Sequence, residues 1–102
     1  MNAVIPLPAP SFIRVDIDRN RAIINNIEIG LTAQQTDILA VLCEKPGAVI
    51  HEERLIARVN GSGYWDMDLG CLRSQISRMR RHLEPHAKIE HVRARGYWVD
   101  LA

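Results

Sequence analysis

Between Asp66 and Glu84 the chain reads Asp-Met-Asp-Leu-Gly-Cys-Leu-Arg-Ser-Gln-Ile-Ser-Arg-Met-Arg-Arg-His-Leu-Glu. Arg73, Arg78, Arg80 and Arg81 crowd this stretch, and no Asp or Glu occurs from Leu69 to Leu83. A guanidinium is permanently charged and presents a planar fork of donors, which suits phosphate oxygens and purine edges. Ser74 and Ser77 add hydroxyls, and with Gly70 they keep the surface small enough for close backbone approach. The chemistry these residues can do is recognition of a polyanion. Other reactive types lead nowhere. His82, Glu84, His86 and His91 invite a metal reading, but Pro85 interrupts the helical spacing that His82 and His86 would need, and no cysteine stands near them. Cys71 lies among basic residues without a redox partner at a useful spacing. There is no glycine-rich phosphate loop and no nucleophile motif. Neither an enzyme nor a cofactor or metal is expected.

An α-helix must carry these arginines. Leu69, Leu72, Ile76, Met79 and Leu83 recur at steps of three and four, which places them on one stripe. Gly70, Cys71, Ser74, Ser77, Arg78 and Arg81 fall on the opposite face, with Arg73, Gln75, Arg80 and His82 along the flanks. Asp66 or Asp68 can cap the start, and Pro85 stops the helix. Upstream, Met1 to Ser11 alternates Pro6, Pro8 and Pro10 and reads as an extended arm or linker, so the expected domain is 12–102. Phe12–Ile17, Ala22–Ile24 and Ile27–Ile29 read as strands of an antiparallel meander, with Asn25-Asn26 as a tight turn. Thr32-Ala33-Gln34-Gln35 has the spacing of a capping box. It opens a helix that buries Ile38, Leu39, Leu42 and Cys43 and ends before Pro46-Gly47. Val49-Ile50 is a short extended piece. His51–Val59 reads as a second helix, with Leu55, Ile56 and Val59 inward. Asn60-Gly61-Ser62-Gly63 breaks it, and Tyr64 and Trp65 follow in the loop. Ile89–Val92 and Tyr97–Leu101 read as a hairpin whose tip holds Arg93, Arg95 and Gly96.

With 102 residues and 47% hydrophobic composition, the chain can build one domain with a real core. Net charge is only +1. Its distribution is uneven: residues 71–102 hold seven Lys/Arg against three Asp/Glu, a net +4, while residues 1–70 hold six against nine, a net −3. A basic end on a slightly acidic body suggests a directed nucleic-acid face. Cys43 and Cys71 fall on different kinds of helix face, so no disulfide is expected, and a reducing cytoplasm is. No apolar run reaches membrane-spanning length.

Helix, short helix, loop, basic helix and hairpin together form the layout of an α+β winged helix-turn-helix. Such a fold puts the basic helix in a major groove and the arginines of a thin wing at a minor groove. At Ile29-Gly30-Leu31-Thr32, Pro46-Gly47-Ala48-Val49-Ile50-His51, Ile76-Ser77-Arg78-Met79-Arg80-Arg81-His82-Leu83-Glu84 and Ile89-Glu90-His91-Val92-Arg93-Ala94-Arg95-Gly96-Tyr97, the sequence resembles the winged-helix effector domain of OmpR/PhoB-type response regulators, over about residues 12–101. The resemblance implies a four-stranded N-terminal sheet, a three-helix core and a C-terminal hairpin wing. It also implies a bacterial-type transcription regulator that binds double-stranded DNA, usually in tandem with itself on direct repeats. The 60–68 loop, with Tyr64 and Trp65 at its tip, would be available to RNA polymerase. Arg73, Ser74, Ser77, Arg78, Arg80, Arg81, Arg93 and Arg95 are the expected DNA contacts.

This sequence departs from the family in three places. No receiver precedes the domain, so aspartyl phosphorylation of this chain is not expected to switch it. Gln35 and Thr36 stand where an acid and an aromatic are usual. Leu72-Arg73-Ser74 replaces an apolar–acid–apolar run. The expected location is the cytoplasm, at the nucleoid. Two other readings are open on the residues: a winged helix that docks an acidic protein, and an architectural DNA binder with little sequence preference.

Overall fold

The computed structural model describes residues 13–100. The Pro-rich arm, Phe12 and Leu101 lie outside the described residues. Strands β1 (Ile13–Asp16), β2 (Arg21–Ile24) and β3 (Ile27–Gly30) form an antiparallel sheet with β2 in the centre. Asn25 and Asn26 both take positive φ, 50° and 70°, as a two-residue hairpin of the primed type requires and as Asn tolerates. The resemblance implied four strands here; among the described residues there are three. β1 also ends one residue early. Asp16 Oδ1 accepts the Arg19 N–H at 3.2 Å and starts the turn, leaving Ile17 exposed.

Helix α1 (Ala33–Leu42) begins at the expected capping box. Thr32 Oγ1 accepts the Gln35 N–H at 3.2 Å, and Gln35 Oε1 accepts the Thr32 N–H at 3.1 Å. Ile38, Leu39, Val41 and Leu42 are buried, and Cys43 is half-buried. Helix α2 (Glu52–Asn60) is capped by His51, whose Nδ1 accepts the Glu53 N–H at 3.2 Å. Asn60 then clamps the next loop, its amide donating to Met67 O at 2.9 Å and accepting from Met67 N at 2.8 Å.

Helix α3 (Leu69–Leu83) is capped by Asp68, not Asp66; Asp68 Oδ1 accepts the Cys71 N–H at 2.7 Å. Leu72, Ile76, Met79 and Leu83 are buried, each contributing about 1.5–3 kcal/mol of apolar burial. Leu69 departs from the stripe and stays 38% exposed. Strands β4 (Lys88–Val92) and β5 (Gly96–Asp100) form the hairpin. Ile50 pairs with Tyr97, N–H to O at 2.8 Å and O to N–H at 2.9 Å, so the short extended piece becomes a third rung beside β5. Gly96 makes this seam possible. Its φ is +131°, and a Cβ there would lie 1.9 Å from Ile50 O. Side chains of all three helices and both sheets meet in one core.

Candidate nucleic-acid interface

The outward face of α3 presents Ser74, Ser77, Arg78 and Arg81 to solvent. Arg78 and Arg81 make no ion pair or side-chain hydrogen bond among the described residues, and the same holds for Arg93 and Arg95 at the wing tip. These four guanidiniums are exposed and uncompensated. The tip itself is tight: Arg95 N–H closes onto Val92 O at 2.9 Å and Ala94 takes φ 63°.

Two arginines expected to share this role have partners inside the molecule. Arg73 Nε meets Glu52 Oε2 at 3.2 Å, joining α3 to the first turn of α2. Its side chain remains 60% exposed, so the pair is a surface one, which is worth little to stability. Arg80 is half-buried, and its Nε donates to Ile89 O at 2.9 Å. It hangs β4 from α3 and thereby fixes the wing relative to the helix. Tyr97 is buried beneath this junction, with its ring 4.9 Å from that of His91. Burial pushes its phenol pKa up, and the Glu52 carboxylate adds to the effect.

A polar network missed in the sequence orients α3 against α1. Gln75 Nε2 donates to Gln34 Oε1 at 2.7 Å, and Gln75 Oε1 accepts from Gln35 Nε2 at 3.1 Å. Gln35 is only 2% exposed and is also held by the capping box. Cys71 was expected on the polar face. It is half-buried instead, and its Sγ–H donates to Gln34 Oε1 at 3.6 Å. Gln35 and Thr36, the two departures from the family pattern in α1, are both buried and satisfied, Thr36 Oγ1 donating to Thr32 O at 2.8 Å. Both cysteines are free, and burial pushes the Cys43 thiol up to about 12.

The paired aromatics of the 61–68 loop part company. Trp65 turns in against the core, and its indole N–H donates to Asp37 Oδ2 at 2.6 Å. Tyr64 is 85% exposed. The loop therefore has one presented aromatic, and Trp65 as its anchor. Among the described residues there is no group of acids, histidines and cysteines placed to hold a metal, and no helix is long and apolar enough to cross a membrane.

The family model described as "Transcriptional regulatory protein, C terminal" matches residues 12–99. The chain belongs to this family. Its members are the OmpR/PhoB-type winged-helix effector domains, DNA-binding and transcription-regulating modules that are not enzymes. No curated protein matches the chain. Solved structures share the fold of this effector domain. The AdeR response-regulator DNA-binding domain, solved in complex with an intercistronic region, is 23% identical, with 88% of this chain and 95% of that one covered at a TM-score of 0.69. The DNA-binding domain of E. coli CadC is 20% identical, covering 90% and 94% at 0.69. The Klebsiella pneumoniae RstA DNA-binding domain, in complex with the RstA box, is 22% identical, covering 91% and 99% at 0.67.

Proposed function

We propose that this effector domain is a sequence-specific reader of double-stranded DNA, with α3 in the major groove and the 93–95 wing tip at the minor groove. The observation that carries the reading is the outward face of α3, cationic and free of acid, beside a wing tip whose two arginines are equally uncompensated. An α-helix about 10–12 Å across fits a major groove about 12 Å wide. Arg78, near the middle of the exposed face, would reach base edges with Ser74 and Ser77 beside it. Arg81, Arg93 and Arg95 would hold phosphate or minor-groove edges. Arg73 and Arg80 would serve first as struts, to α2 and to β4, and only secondarily as DNA contacts. The AdeR and RstA domains, solved with DNA, support a duplex as the ligand.

In the same reading residues 12–102 are the reading domain and residues 1–11 an arm or linker. The domain acts in the cytoplasm at the nucleoid and binds repeated half-sites side by side. Tyr64 is the loop residue offered to RNA polymerase. The test is selection of bound duplexes from a random pool. An enriched motif supports the reader. Tight binding without enrichment would favour an architectural binder, and absence of duplex binding a domain that docks acidic protein.

A further inference from the structure

On the far side of the wing lies a cleft of about 710 Å³ whose walls are α2, the 44–51 segment and the wing tip. Lys45, Arg54 and Arg95 line it, and all three are exposed with no ion pair or side-chain hydrogen bond among the described residues. Arg58 also lines it, neutralised by its salt bridge to Glu44. At 100° per residue Arg54 lies nearly opposite Glu52, the residue that joins α2 to α3, and no residue of α3 lines the cleft. The cleft thus flanks the wing on the side away from the recognition helix, and Arg95 belongs to both wing tip and cleft.

We propose that this cleft is a second phosphodiester-binding site, in which Lys45 and Arg54 hold the DNA strand that borders the minor groove beyond the wing. The inference rests on the docking proposed above. The minor groove is about 6 Å wide, and a sugar–phosphate chain runs along each edge. A wing tip placed there has one strand toward α3 and one away from it. The second strand passes the mouth of this cleft. Three exposed cations without an ion pair among the described residues face it, and contacts to phosphate carry no base identity. Its contribution is therefore affinity and salt dependence without sequence information.

The test is binding of the full chain to a short duplex carrying one selected site and to a duplex carrying the site twice, between about 50 and 200 mM salt. The variants are Lys45→Ala/Arg54→Ala, Lys45→Arg/Arg54→Lys and, separately, Arg95→Ala. The alanine pair should flatten the log–log salt slope on the single site by about two ions at roughly 0.9 each, leave base preferences unaltered, and expose the strand beyond the wing to hydroxyl-radical cleavage. The charge-keeping pair should retain the wild-type slope. An unchanged slope for the alanine pair, with the slope reduced by Arg95→Ala, overturns the cleft and leaves the wing reading standing. Unchanged slopes for both overturn the wing docking itself. A loss seen only on the doubled site would make the cleft a contact between two copies of the chain, and that also overturns the phosphate site.

Discussion

Arg78 and Arg95 are both exposed and both without an ion pair among the described residues, yet the proposed docking gives them different work. Arg78 projects from a helix narrow enough to enter a major groove, where a guanidinium can engage guanine O6 and N7. Such a contact contributes about 1–3 kcal/mol of discrimination against a wrong base. Arg78→Ala should relax preference at one base position. Arg95→Ala should weaken all sequences alike and reduce the salt slope by about one ion. Both variants, titrated against single-base-pair site mutants at two salt concentrations, separate the roles; a uniform loss for Arg78→Ala would make it a phosphate clamp. In the loop, Trp65→Phe removes the bond to Asp37 and should cost about 1 kcal/mol in urea unfolding. Tyr64→Ala should leave the unfolding midpoint in place, and a lower midpoint would mean that Tyr64 packs after all. Cys43 supplies a pH test. Its folded pKa, pushed up by burial, lies above the ordinary value of 9.0, so its share of stability is whole below pH 9 and is lost as pH rises toward about 12. Cys43→Ala should flatten that part of the denaturation profile, and an unflattened profile would assign the alkaline loss to other groups.

The contact between α1 and α3 depends on three glutamines, and Gln75 is the hinge pin between Gln34 and Gln35. Gln75→Leu leaves the buried Gln35 amide nitrogen without its acceptor and takes one donor from Gln34, which costs about 1–3 kcal/mol. Gln75→Glu keeps the acceptor for Gln35 Nε2 and lets the Gln34 amide turn to donate, so it should lose less. Equal unfolding midpoints for the leucine variant and the wild type would show that apolar packing alone fixes α3. This network also marks where sequence reading ran out. Helix periods, the Thr32–Gln35 capping box, the Asn25-Asn26 turn and the stop at Pro85 are local, and local physics makes them legible. The link of Gln35 to Gln75 spans forty positions. Neither residue breaks its helical pattern, so nothing near either predicts it. Arg80 looks like its neighbour Arg81 by type, and only the position of Ile89 O separates a strut from a surface charge. The cationic face was readable from the missing acids; which arginines were already engaged was not.

At the scale of the whole molecule, Arg78 and Arg81 on α3 and Arg93 and Arg95 on the wing are exposed cations without an ion pair among the described residues, while Arg58 and Arg73 are paired at the surface with Glu44 and Glu52. In the proposed docking the exposed cations of this face meet the duplex directly. The 102-residue chain should therefore bind its selected duplex without a phosphoryl donor, and it should sediment as a monomer before DNA is added. Binding that appeared only after treatment with a phosphoryl donor, or a stable dimer free of DNA, would count against this. The Ile50–Gly96 seam has a consequence for any mutational map of the protein. Position 96 has room for a hydrogen and nothing larger. In a screen that scores promoter output, every substitution there will fail, and Gly96 will light up beside Arg95 as though the two were one epitope. Their causes are separate. Arg95→Ala should melt like the wild type and bind poorly. Gly96→Ala should melt earlier, by about 3 kcal/mol for the combined clash and positive φ. Cells grown cooler should then recover part of the Gly96→Ala signal and none of the Arg95→Ala signal, which makes temperature the filter that tells a broken joint from a missing contact.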